Sequence, residues 1–229
     1  MATLFKNIKE LIQVRTEPMS FVSGKDMGVL PTIKNAFLVV ENGFIADFGE
    51  MNKCPQSNFS EVIDATGKMI LPSWCDSHTH LVYAGNRESE FIDRIKGLPY
   101  QEIANNGGGI LNSAKKLQDT SEDDLYQQSK IRLEEIMHLG TGAVEIKTGY
   151  GLTAEAELKM LCVIKRLKEN YSIEIKATFL GAHAIPENFK NDKKGYVQFI
   201  INEVLPKVAK QNTLMSFAKQ DISQLKILS

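Results

Sequence analysis

His78 and His80 stand one residue apart at the end of an apolar run, in WCDSHTHLVYAGNRESEF from Trp74 to Phe91. The chain has only four histidines, so the pairing is conspicuous. In a strand, side chains at i and i+2 point to the same face. Two neutral imidazoles on one face can begin a Zn²⁺ or Fe²⁺ site. They can equally be strand-end histidines bonded to loops or water; the preceding Asp76 and the strand-end position favour the metal.

Three other residue types belong to the same argument. Arg87 follows His80 by seven residues. Its planar fork suits a substrate carboxylate, while Glu88 and Glu90 offer a plain salt bridge. Tyr150 lies in KTGYGL between two glycines, which permit unusual backbone angles. It can reach a ligand or plug a loop. His183, in FLGAHAIP, is either an acid–base or substrate-contacting group or a satisfied structural histidine. Lys147 reads most simply as a salt-bridged strand lysine, and His138 as a surface group at a helix C-terminus. No Ser-His-Asp arrangement is visible, and the NNGGG run at 105–109 lacks the Gly-Lys-Ser/Thr of a phosphate loop, so it reads as a mobile loop over the site.

The elements that must position these residues change character along the chain. Residues 1–68 read as a small β-rich domain, an incomplete composite sandwich. Asn42-Gly43 sits between two apolar runs, a hairpin signal, and Thr66-Gly67 repeats it. Only the opening segment, MATLFKNIKELIQV, carries a helix-like period there. From Met69 a short strand ends at the histidines, and a helical stretch runs from Glu88 to Ala104. A helix over 120–140 follows, with Thr120 or Ser121 as cap, acids in its first turn and Gly140 at its end. A strand over 141–149, a helix over 152–171, a strand over 172–184 and a helix over Gly195–Ala209 complete the series. Such alternation indicates a parallel α/β architecture. His78, His80, Tyr150 and His183 all fall at or just past strand C-terminal ends, where barrels and open α/β sheets both build their sites.

Composition removes several classes. The chain has 229 residues, with Lys+Arg 27 against Asp+Glu 28. That balance gives no basic footprint for nucleic acid and no polybasic membrane anchor. No apolar stretch approaches membrane-spanning length. Three well-separated cysteines, Cys54, Cys75 and Cys162, suit a reducing, cytoplasmic setting.

Taken together, LPSWCDSHTHLVYAGNRESEF, GGGI, VEIKTGYGL, ELKMLCVIKRL and TFLGAHAIP resemble imidazolonepropionase, of the amidohydrolase superfamily, from about Phe37 to about Ala209. The resemblance implies a partial (β/α)8 barrel over 69–210 beside the β-sandwich portion. It also implies one divalent metal, Zn or Fe. The implied reaction opens 4-imidazolone-5-propanoate to N-formimidoyl-L-glutamate in histidine degradation. By motif, His78 and His80 match metal ligands, and Arg87, Tyr150 and His183 match substrate-binding positions. Lys147 matches a family lysine with no bridging role. The partner is a small molecule, and full-length members imply a homodimer. Another cyclic-amide hydrolase or deaminase of the superfamily, or a non-catalytic fragment, are the alternatives.

The chain departs from this pattern late. No histidine follows His183. About 160 residues remain for a barrel that takes about 250, and about three barrel strands are visible. The expectation is a truncated chain that is inactive, poorly soluble or oligomeric, and holds little metal. Residues 211–229 diverge from the family. One permitted codon choice for MSFAKQDISQLK, read from its third base and with Leu214 as TTG, gives DVFCETGYFSVE, which resembles the family's next strand and loop. The expectation is a frameshift near Gln211–Leu214.

Overall fold

The computed structural model describes residues 1–15, 17, 19–99, 102–103, 108–210 and, for the backbone, 215–217. The chain divides between Pro72 and Ser73 into two units.

The first unit is built on β1 (Ala2–Ile12). Its buried residues Leu4, Ile8 and Leu11 follow helical spacing, yet the segment is a strand. The reason is a bulge. The register with β2 (Thr32–Glu41) shifts between Phe5 and Ile8, and Asn7 lies at φ 56. One extra residue reverses the parity of the strand. Leu4 therefore packs with Phe37 and Val39, while Ile8 packs with Ala36 and Leu38. The bulge turns a period of two into an apparent period of 3.6.

The Asn42-Gly43 hairpin forms as expected. Both residues take positive φ, at 52° and 84°, and join β2 to β3 (Phe44–Glu50). Thr66-Gly67 is also a turn, but it makes no hairpin. β4 (Glu61–Asp64) and β5 (Met69–Ile70) both run parallel to β1 and pair with it in succession. The Asp64 carboxylate accepts from the Thr66 N–H at 3.0 Å and its hydroxyl at 2.7 Å, and so closes the turn locally. The unit is one five-stranded sheet, in order β3-β2-β1-β4 with β5 also on β1.

The second unit is a parallel sheet in the order β6-β7-β8-β9. Its strands are β6 (Trp74–Thr79), β7 (Thr141–Lys147), β8 (Glu174–Phe179) and β9 (Met215–Phe217). Among the described residues each strand neighbours the next in sequence, with no switch point. β9 comes from the divergent tail, where the sequence suggested no element. It pairs with β8 from Ala177↔Met215 to Phe179↔Phe217.

The helices are α1 (Glu88–Ile95), α2 (Gly109–Asp119), α3 (Glu122–His138), α4 (Ala154–Asn170), α5 (Lys193–Phe199) and α6 (Leu205–Lys210). A wider π-type turn over Ile200–Val204 joins the last two. α1 stops well short of Ala104, because Gly97 turns left-handed at φ 83. α2 was not anticipated, although it is amphipathic and buries Ala114 and Leu117 on one face. Its first residue, Gly109, belongs to the expected mobile loop, of which Asn105–Gly107 lie outside the described residues. Ser121 caps α3 by accepting from the Asp124 N–H, and Thr153 caps α4 from Ala156.

Alternation in the strands separates two faces. Val144 and Ile146 of β7 and Ile175, Ala177 and Phe179 of β8 join the core with Leu125 and Leu133 of α3 and Met160, Ile164 and Leu167 of α4. The other face carries Glu145, Lys147 and Thr178, joined to one another by hydrogen bonds. Among the described residues no helix is long and apolar enough to cross a membrane.

Candidate active site

Four rings meet at the ends of β6, β7 and β8. The His78 and His80 rings are 5.9 Å apart and nearly edge-on, at 61°. His80 stacks on Tyr150, at 4.7 Å and 22°, and on His183, at 4.9 Å and 28°, and those two rings are themselves 5.6 Å apart, so the three form a triangle. Asp76 Oδ1 accepts the His78 backbone N–H at 3.1 Å and so shapes the strand end.

His80 is the electrostatic centre of the group. Burial, then the nearby His183, His78 and Lys147, hold its pKa down at about 4, against a hydrogen bond with the Thr148 backbone. The ring is therefore neutral at physiological pH. Its Nδ1 is buried without a hydrogen-bond partner.

The loop after β7 is pinned on several sides. The Thr148 N–H donates to the Thr178 carbonyl at 2.9 Å, and its hydroxyl accepts the Leu180 N–H at 3.0 Å. These bonds tie the end of β7 to the end of β8, and so place Tyr150 beside His183. Two residues that sequence reasoning passed over hold the same loop: Glu157, whose carboxylate accepts backbone N–H groups, and Gln118, which donates to the Gly151 carbonyl. Glu157 did leave a signal. It is an acid on the apolar side of α4, seven residues before Ile164. Burial pushes its carboxyl up, opposed by bonds from Thr148, Leu152, Gly151 and Gly149.

Arg87 sits at the N-cap of α1, on a cavity of about 320 Å³ lined by His80, Tyr83, Asn86, Ser113 and Tyr150 among others. Its Nε donates to Ser113 Oγ at 2.9 Å and lies 3.7 Å from the buried Glu90 carboxylate. The salt-bridge reading of Arg87 holds with Glu90 as partner, and a guanidinium held at Nε still presents its Nη groups. The structure gathers His80, Arg87 and Tyr150 around one cavity, with His183 stacked behind His80. Lys147 is the salt-bridged lysine expected, 2.7 Å from Glu145 Oε1. His138 is apart from the site and bonds the Glu134 carbonyl at the end of α3.

No family model matches the chain. An imidazolonepropionase of Flavobacterium johnsoniae is 64% identical over 217 residues, 95% of this chain and 53% of that protein. By sequence, the chain belongs to the imidazolonepropionase family. It spans about half the length of the curated relatives it matches. The imidazolonepropionase of Clostridium tetani, at 45% identity, covers 82% of this chain and 46% of its own. Among solved structures, an atrazine chlorohydrolase of Arthrobacter aurescens, complexed with zinc and atraton, aligns at TM-score 0.53 and 13% identity over 87% of this chain and 43% of that one. A guanine deaminase of C. acetobutylicum with bound guanine aligns at TM-score 0.51 and 16% identity, over 89% and 44%. These likenesses show a shared mixed α/β fold.

A catalytic zinc takes three protein ligands. Among the described residues, no group of three or more His, Cys, Asp and Glu side chains gathers to hold a metal ion. The described part of this imidazolonepropionase-family chain therefore does not make up a complete metal centre.

Proposed function

We propose that the chain forms the substrate-gripping part of an enzyme that hydrolyses 4-imidazolone-5-propanoate to N-formimidoyl-L-glutamate in histidine degradation. The observation that carries this reading is the cavity that presents Arg87, Tyr150 and His80 together, in a chain 64% identical to an imidazolonepropionase.

The geometry suits that substrate. Its propanoate is an anion and its ring is flat. The Arg87 Nη groups pair with the carboxylate, a charge-assisted bond that fixes orientation. The ring lies along the aromatic wall made by Tyr150 and His80, and His183 backs that wall. In the reaction water adds to the ring carbonyl carbon and the ring C–N bond breaks. The freed nitrogen takes a proton, leaving a carboxylate and a formimidoyl group.

The four strands β6–β9, wound in sequence order, are read as consecutive strands of a (β/α)8 barrel, with the site at their C-terminal ends. One divalent metal, zinc or iron, belongs to this reading. His78 and His80 would supply two of its ligands, with further donors from outside the described residues. When bound, such an ion supplies Lewis acidity. The same reading places the enzyme in the cytoplasm.

The test is binding of imidazole-4-propanoate, a stable flat-ring propanoate, followed by NMR on the chain. Saturable shifts at His80 and Tyr150 are expected, and Arg87→Met weakens binding about tenfold or more, about 1.4 kcal/mol. Absence of binding, or equal binding by Arg87→Met, overturns the reading.

A further inference from the structure

The loop over residues 148–152 is shaped by side chains with no part in the reaction itself. Glu157, on the first turn of α4, is 2% exposed. Its Oε2 accepts the Gly149 N–H at 3.0 Å, and its Oε1 accepts those of Gly151 and Leu152 at 2.7 and 3.1 Å. From α2, Gln118 Nε2 donates to the Gly151 carbonyl at 2.7 Å.

Burying a carboxylate costs free energy unless its bonds are satisfied, and here three backbone N–H groups satisfy it. α4 does not need Glu157 as a cap, because Thr153 already serves its first turn. What the carboxylate does is seize the amides on both sides of Tyr150. With the N–H groups of Gly149 and Gly151 fixed, the Tyr150 backbone has little freedom. Leu152 completes the turn at φ 59, a left-handed conformation that a leucine holds only where its surroundings impose it.

We propose that Glu157 is a positioning residue for Tyr150: by gathering the amides of Gly149, Gly151 and Leu152 onto one carboxylate, it holds the phenol ring against the His80 imidazole at the cavity wall. What Tyr150 does for a substrate rests on the function proposed above; the placement of its ring does not.

The test uses the chain itself, with ¹³C-labelled histidine and no substrate or metal. Stacking shifts the His80 ring protons upfield, and Tyr150→Ala defines how much of that shift Tyr150 causes. Glu157→Gln is expected to remove at least about half of it and to speed amide exchange at Gly149, Gly151 and Leu152 about tenfold. Ile164→Val, which weakens the same helix by packing alone, leaves the shift in place. A folded Glu157→Gln chain that keeps the full shift overturns the proposal. Should that variant not fold, Glu157→Asp, whose shorter arm reaches fewer amides, decides: a partial loss supports positioning, and an unchanged shift overturns it. Wild-type chain that shows the stacking shift but binds no imidazole-4-propanoate leaves Glu157 in this role and sinks the functional reading alone.

Discussion

A Cβ at position 149 would lie 2.7 Å from the Cβ of His183. Gly149 also sits at φ 110, where side chains are strained. The approach of the β7 loop to the β8 loop therefore depends on having no side chain there. Gly149→Ala is expected to cost about 2 kcal/mol or more, from strain and overlap together. Urea unfolding measures it, and loss of the His80–His183 contact accompanies it in the NMR spectrum. A variant as stable as wild type would contradict this.

Ser113 and Glu90 determine where the Arg87 guanidinium points. Ser113→Ala removes the 2.9 Å bond to Nε and is expected to cost about 0.5–1.5 kcal/mol of carboxylate binding, a few-fold in affinity. Glu90→Gln acts at two places, because the same carboxylate accepts the Gly109 N–H at 2.9 Å that opens α2. It should weaken binding and loosen α2 together. Titration with imidazole-4-propanoate, compared with its neutral amide, separates the two effects: only the acid should discriminate between wild type and Ser113→Ala.

Glu145 sets an acid limit on the sheet face opposite the helices. Burial raises its pKa, but hydrogen bonds from Lys147 and Thr178 prevail and leave it below the usual glutamate value. A carboxylate with a depressed folded pKa contributes stability above its unfolded pKa, and that contribution is lost as pH falls through the folded value. Stability should thus be flat near neutrality and fall in acid below the ordinary glutamate range. Glu145→Gln should flatten part of that fall. Urea midpoints measured at a series of acid pH values check the sign.

Zinc binding by the chain as it stands should be weak. His78 and His80 share a face, but no third described ligand joins them. Equilibrium dialysis is expected to give less than one tightly held equivalent, reduced further by His78→Ala. Tight, stoichiometric zinc would mean that the ring arrangement reorganises around the ion.

The tail can be settled from its codons. DNA over residues 211–229 that permits the reading DVFCETGYFSVE in the alternate frame supports a frameshift near Gln211–Leu214. Codons that forbid it remove the idea.

Much of the site was legible in the sequence because its signals are local. Asn42-Gly43 announces its hairpin through backbone angles that few other pairs accept. Ser121 announces a helix start because a hydroxyl satisfies an N–H two or three residues away, whereas the Thr153 cap of α4 emerged only in the structure. His78, His80, Tyr150 and His183 could be placed at strand ends from alternation alone. β1 misled for the same reason: its bulge at Asn7 is a long-range pairing feature, and it converted strand alternation into helical spacing.

By itself, the amino-acid sequence determined the α/β alternation, the chemistry available at the strand ends and the kinship with imidazolonepropionases. Only the tertiary structure decided that β4 and β5 share β1 as partner, that Ser113 and Glu90 hold Arg87, and that Glu157 turns inward to the Tyr150 loop. The physical reason is range. Caps and turns are satisfied within a few residues, whereas a buried carboxylate or a strand edge can be satisfied only by groups that folding brings from elsewhere in the chain.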